Sequence, residues 1–140
     1  MANVRNAERP LSPHLFAYKW GPQMAVSIIH RATGSGLATV GTLLFVWWLI
    51  ALASGEAAYG QFVGTFTTAT GTLNWLGYVI GVPLTWAMFQ HMGSGVRHFF
   101  LDQGANFELG ANKMTAILTF LFSLTATVGF WFLIVEKNFG

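Results

Sequence analysis

Gly34-Ser35-Gly36-Leu37-Ala38-Thr39-Val40-Gly41-Thr42-Leu43-Leu44-Phe45-Val46-Trp47-Trp48-Leu49-Ile50-Ala51-Leu52-Ala53 contains no charged residue. These about twenty residues, at about 1.5 Å of rise each, match a hydrocarbon core of roughly 30 Å, so the stretch predicts a membrane helix. Its start is expected near Gln23 or Met24, because Pro22 suits a first helical turn and Met24 to Ile29 is mostly apolar. Two further spans are expected, from about Leu73 to Phe100 and from about Lys113 to Val135. Pro83, inside the second, removes a backbone donor and is expected to kink that helix. The N-terminal segment 1–22 carries Pro10, Pro13 and Pro22 and cannot form one long helix. The predicted fold is an all-α integral membrane domain occupying the whole chain, with three transmembrane helices that form part of a heteromeric bundle.

Composition agrees with that class. The 140 residues are 54% hydrophobic and only 9% charged, far from the usage of soluble domains. Cysteine is absent, which excludes disulfides, thiolate metal sites and iron-sulfur ligation by this chain. A formal charge of +2 is too small to suggest nucleic-acid binding. Of the basic residues, Arg5, Arg9, Lys19 and Arg31 precede or begin the first span, Arg97 and Lys113 flank the second loop, and Lys137 lies at the far end. The positive-inside rule therefore predicts a cytoplasmic N terminus and second loop. The first loop, Ser54 to Thr72, has no Lys or Arg, and Trp47, Trp48, Trp75, Tyr78 and Trp131 are placed as an aromatic belt at the opposite interface. Met1 to Pro10 resembles neither a secretory signal nor a transit peptide, so Met1 is read as the start of the mature chain.

Within the second span, His91 opens the stretch His91-Met92-Gly93-Ser94-Gly95-Val96-Arg97-His98-Phe99-Phe100-Leu101-Asp102-Gln103-Gly104. An ionisable group within hydrocarbon is by default a functional-site hypothesis. Helical spacing puts His91, Gly95, His98 and Asp102 on one face, with Arg97 at the cytoplasmic interface and His91 roughly 9 Å deeper. Two glycines beside the histidine leave room for something flat. His91 is thus either a ligand for a haem iron or a histidine hydrogen-bonded to a neighbouring helix. Gly77, Gly81, Leu84 and Met88 extend the same face, and the GxxxG pair Gly77/Gly81 points to close helix packing.

A second cluster, Ser27-Ile28-Ile29-His30-Arg31-Ala32-Thr33-Gly34, begins the first span. Ser27 and Arg31, four residues apart, share a helical face, and His30 is adjacent to it. Arg31 alone reads as a snorkelling arginine at a helix end; with Ser27 and His30 it makes a surround for one polar ligand. A quinone needs an apolar slot for its ring and donors where negative charge develops at its carbonyl oxygens. A haem needs an imidazole at iron and cations at its propionates. His98, nearer water, is a candidate for a proton-transfer or propionate role, or a hydrated interfacial histidine. Only one deeply placed histidine is present, so a partner membrane chain is expected.

The two clusters, together with Arg9-Pro10-Leu11-Ser12-Pro13-His14-Leu15 and three spans at matching separations, closely resemble the cytochrome b membrane-anchor subunit of succinate dehydrogenase, respiratory complex II. The resemblance covers nearly the whole chain. It implies that His91 is an axial ligand of a b-type haem, that His30 and Arg31 lie near the haem propionates, and that Ser27, Arg31, Leu15 and Trp20 border the ubiquinone site. It implies a second small membrane-anchor subunit that shares the haem and supplies the other ligand. An iron-sulfur subunit and a flavoprotein subunit complete the implied complex, the flavoprotein oxidising succinate, so that this chain carries no catalytic residue of its own. Gln90 departs from the pattern, standing where the family often has an aromatic residue.

The expected function is therefore that of a membrane-anchor subunit of succinate:quinone oxidoreductase in a bacterial inner membrane, with a mitochondrial inner membrane as the alternative. A fumarate reductase anchor using menaquinol, and a structural anchor without a redox role, are the competing functions.

Overall fold

In the computed structural model, backbone is described for residues 19–139 and side chains for residues 19–136. The first span is one continuous helix, α1 (Pro22–Ala53). Gly21 is its N-cap and Pro22 its first helical residue, just before the start expected near Gln23 or Met24 and with Pro22 in the first turn as expected. A single π-helical turn, Leu37–Gly41, interrupts its α-helical hydrogen bonding. The remaining elements are α2 (Glu56–Phe66), α3 (Trp75–Asp102) and α4 (Leu109–Phe139). No strand occurs among the described residues, where an isolated bridge pairs Thr67 with Leu73.

Helix α2 falls inside the first loop, which sequence reading leaves without secondary structure. Trp47 on α1 receives Phe62 and Phe66, with ring centroids 4.9 Å and 5.9 Å away. Those aromatic contacts stabilise a helix whose Gly60, Gly64 and Thr65 would make it weak alone. Both later spans also run beyond their predicted C-terminal ends. α3 ends when Asp102 is followed by Gln103 and a left-handed Gly104, with φ of 78°. The Gly104 amide donates to the Leu101 carbonyl and the Ala105 amide to the Phe100 carbonyl, satisfying the last turn in a Schellman-like motif. At its other end, Asn74 caps the helix by accepting from the Gly77 amide at 2.9 Å. Pro83 does not end α3, which remains one helix across it.

Helix α3 is central, packing most extensively on α4 and next on α1. Both pairings are antiparallel: Thr33 and Gly41 of α1 meet His91 and Leu84, while Gly81, Gln90 and Arg97 of α3 meet Trp131, Ser123 and Asn112. The polarity of the fold is inverted relative to a soluble bundle. Buried polar or charged residues are Thr33, Gln90, Ser94, Arg97, Thr119, Ser123 and Thr127, whereas Leu43, Val79, Leu118, Val128 and Phe132 are exposed. Without a hydrophobic drive between helices in lipid, small and hydroxyl-bearing residues make the close contacts and large apolar ones face outward. α1 and the segment Leu109–Glu136 of α4 are each long and apolar enough to cross a membrane. These two features identify an all-α membrane protein.

Candidate functional site

Antiparallel packing of α1 on α3 brings the two sequence clusters together. The His30 and His91 rings stack at 4.0 Å between centroids, 5° from parallel. His98, two turns along α3 from His91, reaches the same place, its ring 5.0 Å from that of His30. The contact is close because Gly34 has no side chain: a Cβ there would come within 2.8 Å of His91 Cε1. Gly95 likewise faces His30 Cε1, at 4.0 Å from where its Cβ would be. Gly34 and Gly95 thus serve close approach between α1 and α3, whereas sequence reading expects Gly95 to leave room for something flat beside His91.

Hydrogen bonds orient the imidazoles. His91 Nδ1 donates to the main-chain carbonyl oxygen of His30 at 3.1 Å, with the Thr33 hydroxyl 3.4 Å away. Thr33 itself is tied down, its Oγ1 donating to the Ile29 carbonyl at 2.7 Å. An Nδ1–H held in this way leaves the His91 Nε2 lone pair unused, and Nε2 has no hydrogen-bond partner among the described residues. His30 Nδ1 is 2.6 Å from Ser94 Oγ.

Beside Thr33, an apolar groove of about 470 Å³ runs between α1 and α3, lined by Ile29, Gly36 and Val40 on one side and Ile80, Pro83, Leu84 and Ala87 on the other. Ala87 lies one turn from His91 on α3, and Ile29 is adjacent to His30 on α1, so the groove is next to the histidine pair although neither ring lines it. It suits a flat or extended apolar group more than a polar metabolite.

Other sequence-predicted site residues lie apart. Ser27 is half-buried beside a shallow cavity of about 330 Å³ that it shares with Gln23, Met24 and Ile28. Arg31 is exposed, and neither side chain hydrogen-bonds to another described residue. Trp20 is 71% exposed, and Leu15 lies outside the described residues. Asp102, expected on the His91 face, is exposed at the last turn of α3.

The family described as succinate dehydrogenase/fumarate reductase transmembrane subunit matches residues 5–130. The chain belongs to this family. It is 36% identical over 110 residues to the succinate dehydrogenase cytochrome b556 subunit of Paracoccus denitrificans, a match covering 78% of each chain. It is 32% identical over 124 residues to the subunit of the same name from Rickettsia felis, covering 89% of this chain and 91% of that one. The mitochondrial cytochrome b560 subunit of Homo sapiens is 26% identical over 123 residues, 88% of this chain and 70% of that one. The protein is accordingly a membrane-anchor subunit of succinate dehydrogenase, working within that oxidoreductase complex in the membrane.

Several residues of this transmembrane subunit emerge only from its packing. Arg97, expected at the interface, is 7% exposed; its guanidinium donates through Nη2 to Asn112 Oδ1 and through Nε to Thr115 Oγ1 at 3.3 Å. Gln90 is fully buried and its Oε1 accepts from Ser123 Oγ at 2.6 Å, while its Nε2 has no partner among the described residues. Thr119, Ser123 and Thr127, spaced by four along α4, form the buried stripe against α3. That spacing is visible in the sequence, but threonine and serine read as lipid-tolerated there, their hydroxyls bonding back to their own helix. The predicted stripe of Gly77, Gly81, Leu84 and Met88 divides: Gly77 meets the Phe66 carbonyl, Gly81 meets Trp131, Leu84 lines the groove, and Met88 is exposed.

Proposed function

We propose that the chain is a three-span anchor that holds a b-type haem jointly with a second small membrane subunit and borders the site where ubiquinone receives electrons from succinate oxidation. α3 is the middle span. Its 28 residues make about 42 Å of helix, and it lies against both apolar helices, which leaves it no route outside the bilayer. Basic residues at the start of α1 and around the α3–α4 loop support a cytoplasmic N terminus, and the bacterial relatives support a bacterial inner membrane.

The observation that carries the haem reading is the hydrogen bond from His91 Nδ1 to the His30 carbonyl, which selects the tautomer with Nε2 free for iron. Gly34, by its lack of a Cβ, and the apolar groove beside Thr33 support the same fit. Bound haem supplies one-electron redox chemistry. His91 would hold the haem iron through Nε2, His30 and Arg31 would hold the propionates, and His98 would be a further proton or propionate partner.

For the quinone, Ser27 donates to a carbonyl oxygen and Arg31 favours the negative charge that accumulates there on reduction. Trp20, and Leu15 beyond the described residues, supply apolar walls. The quinone takes two electrons and two protons to become the quinol. The electrons come from succinate, oxidised in a flavoprotein subunit and relayed through an iron-sulfur subunit, so no step of succinate chemistry occurs here. The family description also covers fumarate reductase, for which the same architecture works from menaquinol; the quinone co-purifying with the complex separates the two.

Reduced-minus-oxidised spectroscopy on the purified complex tests the reading. A b-type band is expected from the unmodified complex and lost in His91→Ala with the subunits still assembled. A band of native intensity in that variant would overturn the assignment.

A further inference from the structure

A ligand histidine can rotate about two side-chain bonds, so its ring keeps one plane only if neighbours restrain it. His91 is restrained on three sides. Its Nδ1 edge meets the His30 carbonyl, its Cε1 edge lies over Gly34, and one ring face is covered by the parallel His30 ring at 4.0 Å. The last restraint is only as firm as His30 itself. That side chain is half-buried and comes from a different helix.

Ser94 supplies what holds it. The residue is fully buried, three positions from His91 on α3. Its hydroxyl donates to the Gln90 carbonyl at 2.7 Å, with the His91 carbonyl at 3.1 Å. The hydroxyl has a single proton, committed to these helix carbonyls, so Oγ is left to accept from His30 Nδ1–H at 2.6 Å. His30 is thereby tied to the same helix that carries the ring it covers. Ser94 lies one turn from His91 within the His91–Gly104 stretch, yet sequence reading alone gives it no role.

We propose that Ser94 is a positioning residue for the haem, setting the plane of the His91 imidazole through His30. The proposal rests on His91 being the iron ligand. Axial imidazole orientation governs the low-spin electron paramagnetic resonance signal of a ferric haem and contributes to its potential, neither of which follows from packing alone.

The test compares Ser94→Ala in the assembled complex with the unmodified protein. The b-type band should persist at native haem content, while the low-spin signal shifts and broadens. The ratio of oxidised to reduced haem at fixed applied potential should change by up to about tenfold, ~59 mV for a one-electron couple. In a His30→Ala background, the same substitution should change neither quantity further, because the group Ser94 holds is gone. A native signal and potential in Ser94→Ala would overturn the proposal, and so would shifts of equal size in both backgrounds. Failure of the underlying ligand reading is distinguishable, since it would appear as a b-type band surviving His91→Ala or missing from the unmodified complex.

Discussion

His91 on α3 donates its Nδ1 proton to the main-chain carbonyl oxygen of His30 on α1, across 3.1 Å. A carbonyl inside a helix normally accepts only from the amide four residues on, but oxygen has a second lone pair, and here it binds a neighbouring helix. The bond therefore does two things at once: it joins α1 to α3 and it decides which imidazole nitrogen is free.

Gly34→Ala tests the space this bond requires. An added methyl would meet His91 Cε1 at 2.8 Å, so the ring must turn away from its acceptor. Loss of a partner that orients a metal-binding histidine typically weakens affinity by about 10–100-fold. Haem content per complex, from difference spectra, should fall accordingly, although alanine is intrinsically the better helix former. Native content in this variant would show that the ring is not confined there.

Gln90 and Ser123 form a cycle with an asymmetric outcome. Ser123→Ala strands the buried Gln90 Oε1 beside an Nε2 that already lacks a partner among the described residues, and should destabilise the helix pair by about 1–3 kcal/mol. Combining it with Gln90→Leu removes both polar groups and should recover most of that loss. Thermal unfolding of the detergent-solubilised protein measures each corner, and purely additive losses would contradict the pairing.

Arg97→Ala should lower thermal stability more than either change at Ser27 or Trp20, by about 2–3 kcal/mol, because it leaves Asn112 and Thr115 without a charged donor where the end of α3 meets the start of α4. Arg97→Lys keeps the charge without the two-pronged geometry, so this variant should recover only part of the loss. Equal melting temperatures for the unmodified protein and both variants would exclude this role.

Arg31→Ala probes the quinone assignment. Exposed and without a partner among the described residues, Arg31 contributes little to the fold, so the assembled complex should form normally. Quinone reduction should drop about tenfold or more, the scale of one charge-assisted hydrogen bond, while succinate oxidation by an artificial acceptor stays near native. Parallel loss of both activities would count against it.

Much of this arrangement is legible in the order of residues. Charge-free length identifies α1, Pro22 marks its first turn, and the isolated depth of His91 singles it out as a candidate site residue. Each of these is local: it depends on the rise of a helix, the φ of one residue or the cost of one polar group in lipid. α2 escapes such reading because its glycines weaken its intrinsic preference, and Trp47 with the Phe62 and Phe66 rings stabilises it from outside.

Sequence alone determined that the chain is apolar and helical and that His91, His30, Ser27 and Arg31 are its unusual polar residues. Only the tertiary structure decided which of them meet. Helical phase groups His30 with Ser27 and Arg31, yet the antiparallel packing of α1 on α3 takes His30 to His91, Ser94 and His98 and leaves Arg31 exposed. It also buries Arg97, Gln90 and Ser123, whose partners lie across a helix pairing that sequence spacing cannot align. The reason is that one helix specifies the directions of its side chains, whereas the register between two helices follows from how closely small residues such as Gly34, Gly81 and Gly93 let them approach.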